Sequence, residues 1–339
     1  MNMIYKNAEL YNVSELERQC DGSYSMLRLP RSVEMGLSER GQMMNRNCCG
    51  NEIRFNLNSG KAKIKLKIDK MSDAIVKQSR ALLYYGSIAA GWTCCVKDIY
   101  EQETVIEIER PDHIEWLEKI SAENKYPFDP NLIRLVFDNL RVNVIDIEGD
   151  IEPPRPDQTP GIRYLAYGSS ITHGSLGLLA TNTYAAHTAR LLNADLINLG
   201  FAGTARLEKS AADYIASGCG WDFATLEMGI NILDIDPEEY RKRITYFIST
   251  VAKANPEKKV FCIDVFYCDS DLYKDGRAKR FREIMKETVY DLNVPNTVYI
   301  NGLDIMGGSF GLSADFVHPN NSAIFKMGEA LADIIKRNL

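Results

Sequence analysis

Histidine and tryptophan are scarce in this chain of 339 residues, with four of the first and three of the second. Acid and base work by imidazole is therefore confined to His113, His173, His187 and His318. No stretch approaches the roughly 18 uninterrupted apolar residues of a membrane helix, so a membrane partner is not expected. The eight cysteines include no C-x-x-C pair, and the common zinc spacings are thus missing. Cys48-Cys49 and Cys94-Cys95 are chain neighbours, which seldom meet the geometry of a relaxed bridge, and reduced thiols are expected. Positive charge is also short: 40 Lys+Arg against 46 Asp+Glu leave a formal charge of -6, with no basic field to draw a phosphate backbone. Nucleic acid is excluded as a partner on that ground. The first twenty residues, MNMIYKNAELYNVSELERQC, lack the apolar run of a secretory signal, and a cytoplasmic location is expected.

What is present is ordinary globular composition, 45% hydrophobic and 25% charged, in a length that suits two domains. The first half carries short segments of period two. Ile53, Phe55 and Leu57 alternate with polar residues, Asn58-Ser59-Gly60 supplies a turn, and Ile64, Leu66 and Ile68 alternate with lysines, which predicts a hairpin with one wet face. ALLYYGSIAAGW, ETVIEIE, LIRLVF and RVNVIDIE are further strands, and so many at short spacing predict a jelly-roll-like β-sandwich over residues 1–152. Residues 153–160 hold Pro153, Pro154, Pro156 and Pro160, the composition of a stiff extended linker.

From 161 to 339 the rhythm becomes strand, loop, helix. IRYLAYG, ADLINLG, FATLEMG, KKVFCIDVF and TVYINGLDI are continuously apolar, as expected of parallel strands covered on both faces. Between and after them lie helical patterns: TYAAHTARLL, LEKSAADYIA, PEEYRKRITYFISTVAKA, GRAKRFREIMKETVYDL and NSAIFKMGEALADIIKR. The expected fold class is α/β, a three-layer α/β/α domain with a five-stranded parallel sheet behind the β-sandwich. No internal repeat is found, and nothing in the pattern speaks to oligomeric state.

Open parallel sheets bind ligands at the carboxyl ends of their strands. The first predicted strand ends in Gly168-Ser169-Ser170, the second in Gly200-Phe201-Ala202-Gly203 and the third in Gly229-Ile230-Asn231, while Asp315-Phe316-Val317-His318 follows the fifth. A serine hydroxyl attacks only when a base takes its proton, and His318 is the histidine with an acid one turn away, Asp315. The Ser170 N–H, the Gly203 N–H and the Asn231 carboxamide are candidate donors to a developing oxyanion. Ser169 and Ser170 both remain candidate nucleophiles on this reading.

These blocks, in this order, resemble the SGNH (GDSL-type) hydrolases, a family of esterases, lipases and carbohydrate deacetylases. The resemblance implies Ser170 as nucleophile, Gly203 and Asn231 with the Ser170 N–H as oxyanion hole, and Asp315 with His318 as the D-x-x-H pair. The usual G-D-S block has Ser169 in place of its aspartate, and Ile232 stands where G-x-N-D has its last residue. The part before the linker resembles the β-rich domain that precedes the hydrolase domain in carbohydrate-esterase-like members, through GWTCCVKDIY.

The implied activity is a serine esterase on a short acyl ester, acetyl above all, of a small molecule or carbohydrate, with neither metal nor organic cofactor. The alternatives are an acyltransferase or a lipase/acylhydrolase with the same triad and, outside enzymes, an inactive carbohydrate-binding protein. Ser169, His173 at the pocket rim, Arg206, Trp92 and Tyr100 are expected substrate contacts. Each has a plainer reading, Arg206 as a surface ion pair and Ser170 itself as a helix cap.

Overall fold

The computed structural model describes residues 2–69, 78–217 and 219–339. The chain divides into two compact units, one of Met1–Arg31 and Asn45–Gly161, the other of Ser32–Met44 and Ile162–Leu339. A short segment from the amino-terminal part of the chain is thus built into the second unit.

Among its described residues the first unit holds eleven strands: β1 (Asn2–Tyr5), β2 (Ala8–Tyr11), β3 (Glu15–Arg18), β4 (Tyr24–Leu27), β5 (Glu52–Ile68), β6 (Gln78–Tyr85), β7 (Ile88–Ala89), β8 (Val96–Tyr100), β9 (Thr104–Glu109), β10 (Leu132–Phe137) and β11 (Val142–Glu152). They form one antiparallel system that wraps around a single core, with Leu10, Met26, Phe55, Leu66, Ile99, Ile106, Leu135 and Val144 all in the same buried cluster. A sheet whose strands share one enclosed core is sandwich-like, as antiparallel sheets with one apolar face require.

The hairpin expected at Asn58-Ser59-Gly60 is corrected. Residues 52–68 form one continuous strand whose halves pair with different neighbours, Glu52–Asn56 with β10 and Lys61–Leu66 with β9. Gly60 is left-handed at φ +64°, and the register against β11 slips between Glu148 and Asp150, so the chain bends here without reversing. The polar residues beside Ile53 and Phe55 are not wet either. Arg54 is 1% exposed, paired with Glu52 at 2.8 Å, and its guanidinium lies 3.5 Å from the Tyr11 ring centre. Arg134 also bonds Glu52, at 2.7 Å. Burial opposes ionisation of Glu52, yet Arg134 and Arg54 together hold its pKa down at about 2. The proline-rich stretch clusters with this unit, where Gln158 is fully buried and exchanges hydrogen bonds with the Asn56 amide at 2.7 and 2.8 Å. The helices of the amino-terminal half are α1 (Arg31–Glu34), α2 (Glu39–Asn45) and α3 (Ile114–Asn124).

The second unit holds β12 (Arg163–Gly168), β13 (Asp195–Gly200), β14 (Phe223–Glu227), β15 (Val260–Ile263) and β16 (Thr297–Ile300), all parallel, in the order β13-β12-β14-β15-β16. Its helices are α4 (Ser170–His173), α5 (Tyr184–Leu191), α6 (Lys209–Ala216), α7 (Pro237–Ala254), α8 (Asp269–Tyr273), α9 (Arg277–Leu292), α10 (Gly302–Ile305) and α11 (Asn321–Lys336). α5 packs on α11, while α6, α7 and α9 pack in series, giving helix layers on both faces of the sheet. That is why these strands read as continuous apolar runs. The α7 boundary follows from its first residues: Asp236 accepts hydrogen bonds from the Glu238 and Glu239 N–H groups, and Pro237 occupies the first helical position, where a missing N–H costs nothing. The strand order reverses at β12, between β13 and β14, and opens a crevice at their carboxyl ends.

Candidate active site

Ser170 begins α4 directly after β12. The close packing at this turn needs glycine at the ends of both β12 and β13, because a Cβ on Gly168 would lie 2.2 Å from Thr172 Oγ1 and one on Gly200 would lie 2.2 Å from the His173 backbone nitrogen. Ser169 is the helix cap: its hydroxyl accepts from the Ile171 N–H at 3.2 Å, and it is 1% exposed. The Ser170 hydroxyl faces His318 instead, with Oγ 2.7 Å from Nε2. The geometry thus separates two serines that the sequence left as rivals.

The loop before α11 presents the imidazole. Ser313 N–H donates to the His318 carbonyl at 2.8 Å, Asn320 N–H to that of Gly311 at 2.7 Å, and Leu312 bridges Pro319. Inside this closed loop the Asp315 carboxylate organises the backbone. Its Oδ1 accepts from the Ser313 hydroxyl at 2.7 Å and from the Val317 and His318 N–H groups at 2.9 Å each, while Oδ2 accepts from His318 Nδ1 at 2.7 Å. Partial burial works against ionisation, but the His318 and Val317 N–H groups, the Ser313 hydroxyl and the His318 ring outweigh it, so the Asp315 carboxyl stays well below the usual carboxylate range. A fixed carboxylate against Nδ1 favours the proton there and leaves Nε2 as the acceptor toward Ser170.

Gly203 follows β13 at φ +69°, a conformation glycine adopts without strain. Asn231 follows β14 in a short 3₁₀ turn. Its Oδ1 accepts from the Ala205 N–H at 3.2 Å, which fixes the amide's orientation. Among the described residues the Ser170 N–H, the Gly203 N–H and Asn231 Nδ2 donate to no partner. Three unclaimed donors therefore stand just past the carboxyl ends of β12, β13 and β14.

The lesser candidates separate. Arg206 bonds the Asn231 carbonyl at 2.8 Å and grips Asp234 with both nitrogen–oxygen pairs at 2.9 and 3.0 Å, so it braces the Asn231 loop. His173 is corrected: it is 2% exposed, with Nδ1 3.0 Å from the Gly200 carbonyl, and it packs the turn under Ser170 rather than lining a rim. Ser169, equally buried, is corrected likewise to a capping residue. Trp92, 94% exposed, and Tyr100, which closes β8, lie on the surface of the first unit.

Glu227 was missed. It ends β14 at 1% exposure, and its Oε2 accepts from the Ser169 N–H at 2.6 Å and from the Thr172 hydroxyl at 3.2 Å, directly beneath the turn that carries Ser170. Burial pushes its pKa above the usual value against those hydrogen bonds. The signal was legible: a lone acid inside the apolar run FATLEMG belongs to a buried position and must have partners there.

Residues 163–336 match the family model for the GDSL-like lipase/acylhydrolase family, and the chain belongs to that family. No curated protein sequence matches it. Among solved structures it is similar to a salicylyl-acyltransferase from a tetracycline biosynthetic pathway, at 14% identity over 99% of this chain and 96% of that one with a TM-score of 0.78. It is also similar to a putative GDSL-like lipase from Bacteroides ovatus, at 19% identity over 92% and 91% of the two chains with a TM-score of 0.67. A family two carbohydrate esterase from Cellvibrio japonicus aligns at 12% identity over 99% and 96%, with a TM-score of 0.66. At these identities the likeness is one of fold, and it extends over both units. The chain is an enzyme acting on carboxylic ester bonds. Among the described residues no helix is long and apolar enough to cross a membrane.

Proposed function

We propose that this enzyme is a serine esterase that removes a short acyl group, acetyl above all, from a carbohydrate hydroxyl through an acyl-enzyme on Ser170. The observation that carries the reading is the unbroken chain Ser170 Oγ, His318 Nε2, His318 Nδ1, Asp315 Oδ2, with 2.7 Å at each hydrogen bond. Ser170 Oγ attacks the acyl carbon while His318 Nε2 takes its proton, then returns that proton to the departing alkoxide. Asp315 holds the imidazole tautomer and stabilises the imidazolium. The Ser170 and Gly203 N–H groups and Asn231 Nδ2 receive the oxyanion. Water, deprotonated by His318, attacks the acyl-enzyme and frees the acid and Ser170.

The carbohydrate part is supported by the fold shared over both units with the Cellvibrio japonicus esterase. The fold shared with the salicylyl-acyltransferase supports a second reading, transfer of the acyl group from Ser170 to an alcohol in place of water. A cytoplasmic location belongs to the same proposal, supported by eight cysteines that are all unpaired.

The test is turnover of p-nitrophenyl acetate and acetylated sugars by the wild type, Ser169→Ala and Ser170→Ala, with fluorophosphonate labelling read by mass spectrometry. Labelling at Ser170 and its loss in Ser170→Ala are expected, while Ser169→Ala keeps the label. Full activity in Ser170→Ala would overturn the assignment. Added alcohol that diverts product from acid to ester would favour the transfer reading.

A further inference from the structure

Residues 32–44 leave the first unit and pack on the second. Two positions show how closely. A Cβ on Gly36 would lie 2.6 Å from Ser210 Cβ at the start of α6, and a Cβ on Gly203 would lie 3.1 Å from Arg40 Nη2 and 3.2 Å from its Cζ. The Arg40 guanidinium therefore rests on the glycine whose N–H faces the developing oxyanion. Adding the two bonds between that nitrogen and the built Cβ puts Nη2 within about 6 Å of Gly203 N.

Arg40 is exposed, and among the described residues no carboxylate holds it. Other arginines of the same unit are neutralised: Arg206 by Asp234, Arg241 by Glu287, Arg243 by Glu239, Arg280 by Glu283 and Arg282 by Asp271. Glu39 precedes Arg40 on α2, but consecutive helix residues do not face one another. Ser38 caps this helix by accepting from the Gly41 N–H at 3.2 Å, which fixes the turn that carries Arg40. An unpaired planar cation, delivered by a separate chain segment to the oxyanion-hole loop, suits a carboxylate, which it can grip with two parallel hydrogen bonds.

We infer that Arg40 is a specificity-determining residue that binds a carboxylate on the ester substrate, one group removed from the scissile carbonyl. This rests on the esterase reading above. The favoured substrates are thus short acyl esters of hydroxy acids or acidic sugars, or hemiesters whose acyl part is itself an acid.

The experiment compares two matched pairs: 4-acetoxybenzoate with methyl 4-acetoxybenzoate, and 4-nitrophenyl hydrogen succinate with 4-nitrophenyl butanoate. The first places the carboxylate on the alcohol side and the second on the acyl side. The readout is the ratio of kcat/KM for the anionic ester to that for its neutral partner, in the wild type, Arg40→Met and Arg40→Lys. In one pair the ratio is expected to fall about fivefold or more in Arg40→Met and less in Arg40→Lys. In the wild type the same ratio is expected to fall as sodium chloride rises, since an exposed ion pair is screened. If Arg40→Met does not fold, Arg40→Lys and the salt series carry the test. Smaller changes in both pairs, or a salt-independent ratio, overturn the inference and leave the esterase reading standing. An Arg40 that instead stabilised the oxyanion would slow both esters alike, and its unchanged ratio counts against the inference. No turnover of any ester, p-nitrophenyl acetate included, overturns the esterase reading and this inference with it.

Discussion

Replacing Asn231 separates the proposed oxyanion donor from a loop brace, because the two jobs fall to different atoms of its amide. Oδ1 holds the Ala205 N–H at 3.2 Å, and Nδ2 is the proposed donor. Ala205 is 3% exposed, so Asn231→Ala leaves a buried N–H unpaired at a stability cost of about 1–3 kcal/mol. The same change deletes the donor. An oxyanion-hole hydrogen bond is worth about 3 kcal/mol of barrier, which at 1.36 kcal/mol per decade is a loss of roughly 150-fold in kcat. Asn231→Asp behaves differently. One carboxylate oxygen still accepts from Ala205, so the melting temperature is expected to stay close to that of the wild type, but the other oxygen now faces the oxyanion with like charge. Its kcat is expected to fall at least as far as that of the alanine variant, with little change in KM. Steady-state kinetics on p-nitrophenyl acetate beside thermal denaturation reads both quantities. An Asn231→Asp enzyme within about fivefold of wild-type kcat would refute the donor role, and one that is inactive only because it is unfolded would refute the brace argument.

Asp315→Asn keeps an acceptor for the Val317 and His318 N–H groups but presents the wrong partner to Nδ1, and a loss of about 10³- to 10⁴-fold in kcat is expected with the fold intact. Because the folded Asp315 pKa is depressed, its contribution to stability is fully present above its ordinary value of 3.8 and is lost as pH falls through the lower folded value. The melting-temperature difference between this variant and the wild type should thus be flat from pH 5 to 8, as differential scanning fluorimetry would check. Glu227 runs the other way: its raised pKa means that stability falls as pH rises from its ordinary 4.5 through the folded value, so Glu227→Gln should gain on the wild type over that window in pH-dependent melts. Glu227→Ala strips the partner from the buried Ser169 N–H and leaves a cavity, with an expected cost of about 2–4 kcal/mol in urea denaturation. Gly203→Ala forces a Cβ into a left-handed turn 3.1 Å from Arg40, and a loss of about 1–2 kcal/mol in stability is expected in urea denaturation.

Much of the second unit was legible because local signals there agree with one another. α7 begins and ends where the Asp236-Pro237 cap and the apolar spacing put it, and the five parallel strands announce themselves as uninterrupted apolar runs. The first unit was less legible. In β5 the alternation of Ile53, Phe55 and Leu57 correctly marks the core, but alternation is blind to what covers the other face, and Arg54, Glu52 and Asn56 turn out buried against Tyr11, Arg134 and Gln158. Asn58-Ser59-Gly60 has turn composition, yet whether a glycine bend reverses a strand or only kinks it depends on which strands lie alongside, and those come from far along the chain.

Sequence alone determined which side chains exist for the chemistry. A single histidine carries an acid three residues before it, and a serine, a glycine and an asparagine stand at successive strand ends. Only the tertiary structure tells the two serines apart: the Ser169 hydroxyl is spent capping α4, and the Ser170 hydroxyl meets an imidazole 148 positions away. It alone brought Glu227 beneath the turn that carries Ser170, and Arg40 onto Gly203. The reason is one of range. Caps, periodicity and turns are set by neighbours within a few residues, whereas the partners of a hydroxyl, a buried acid or a guanidinium are set by packing between segments that the chain keeps far apart.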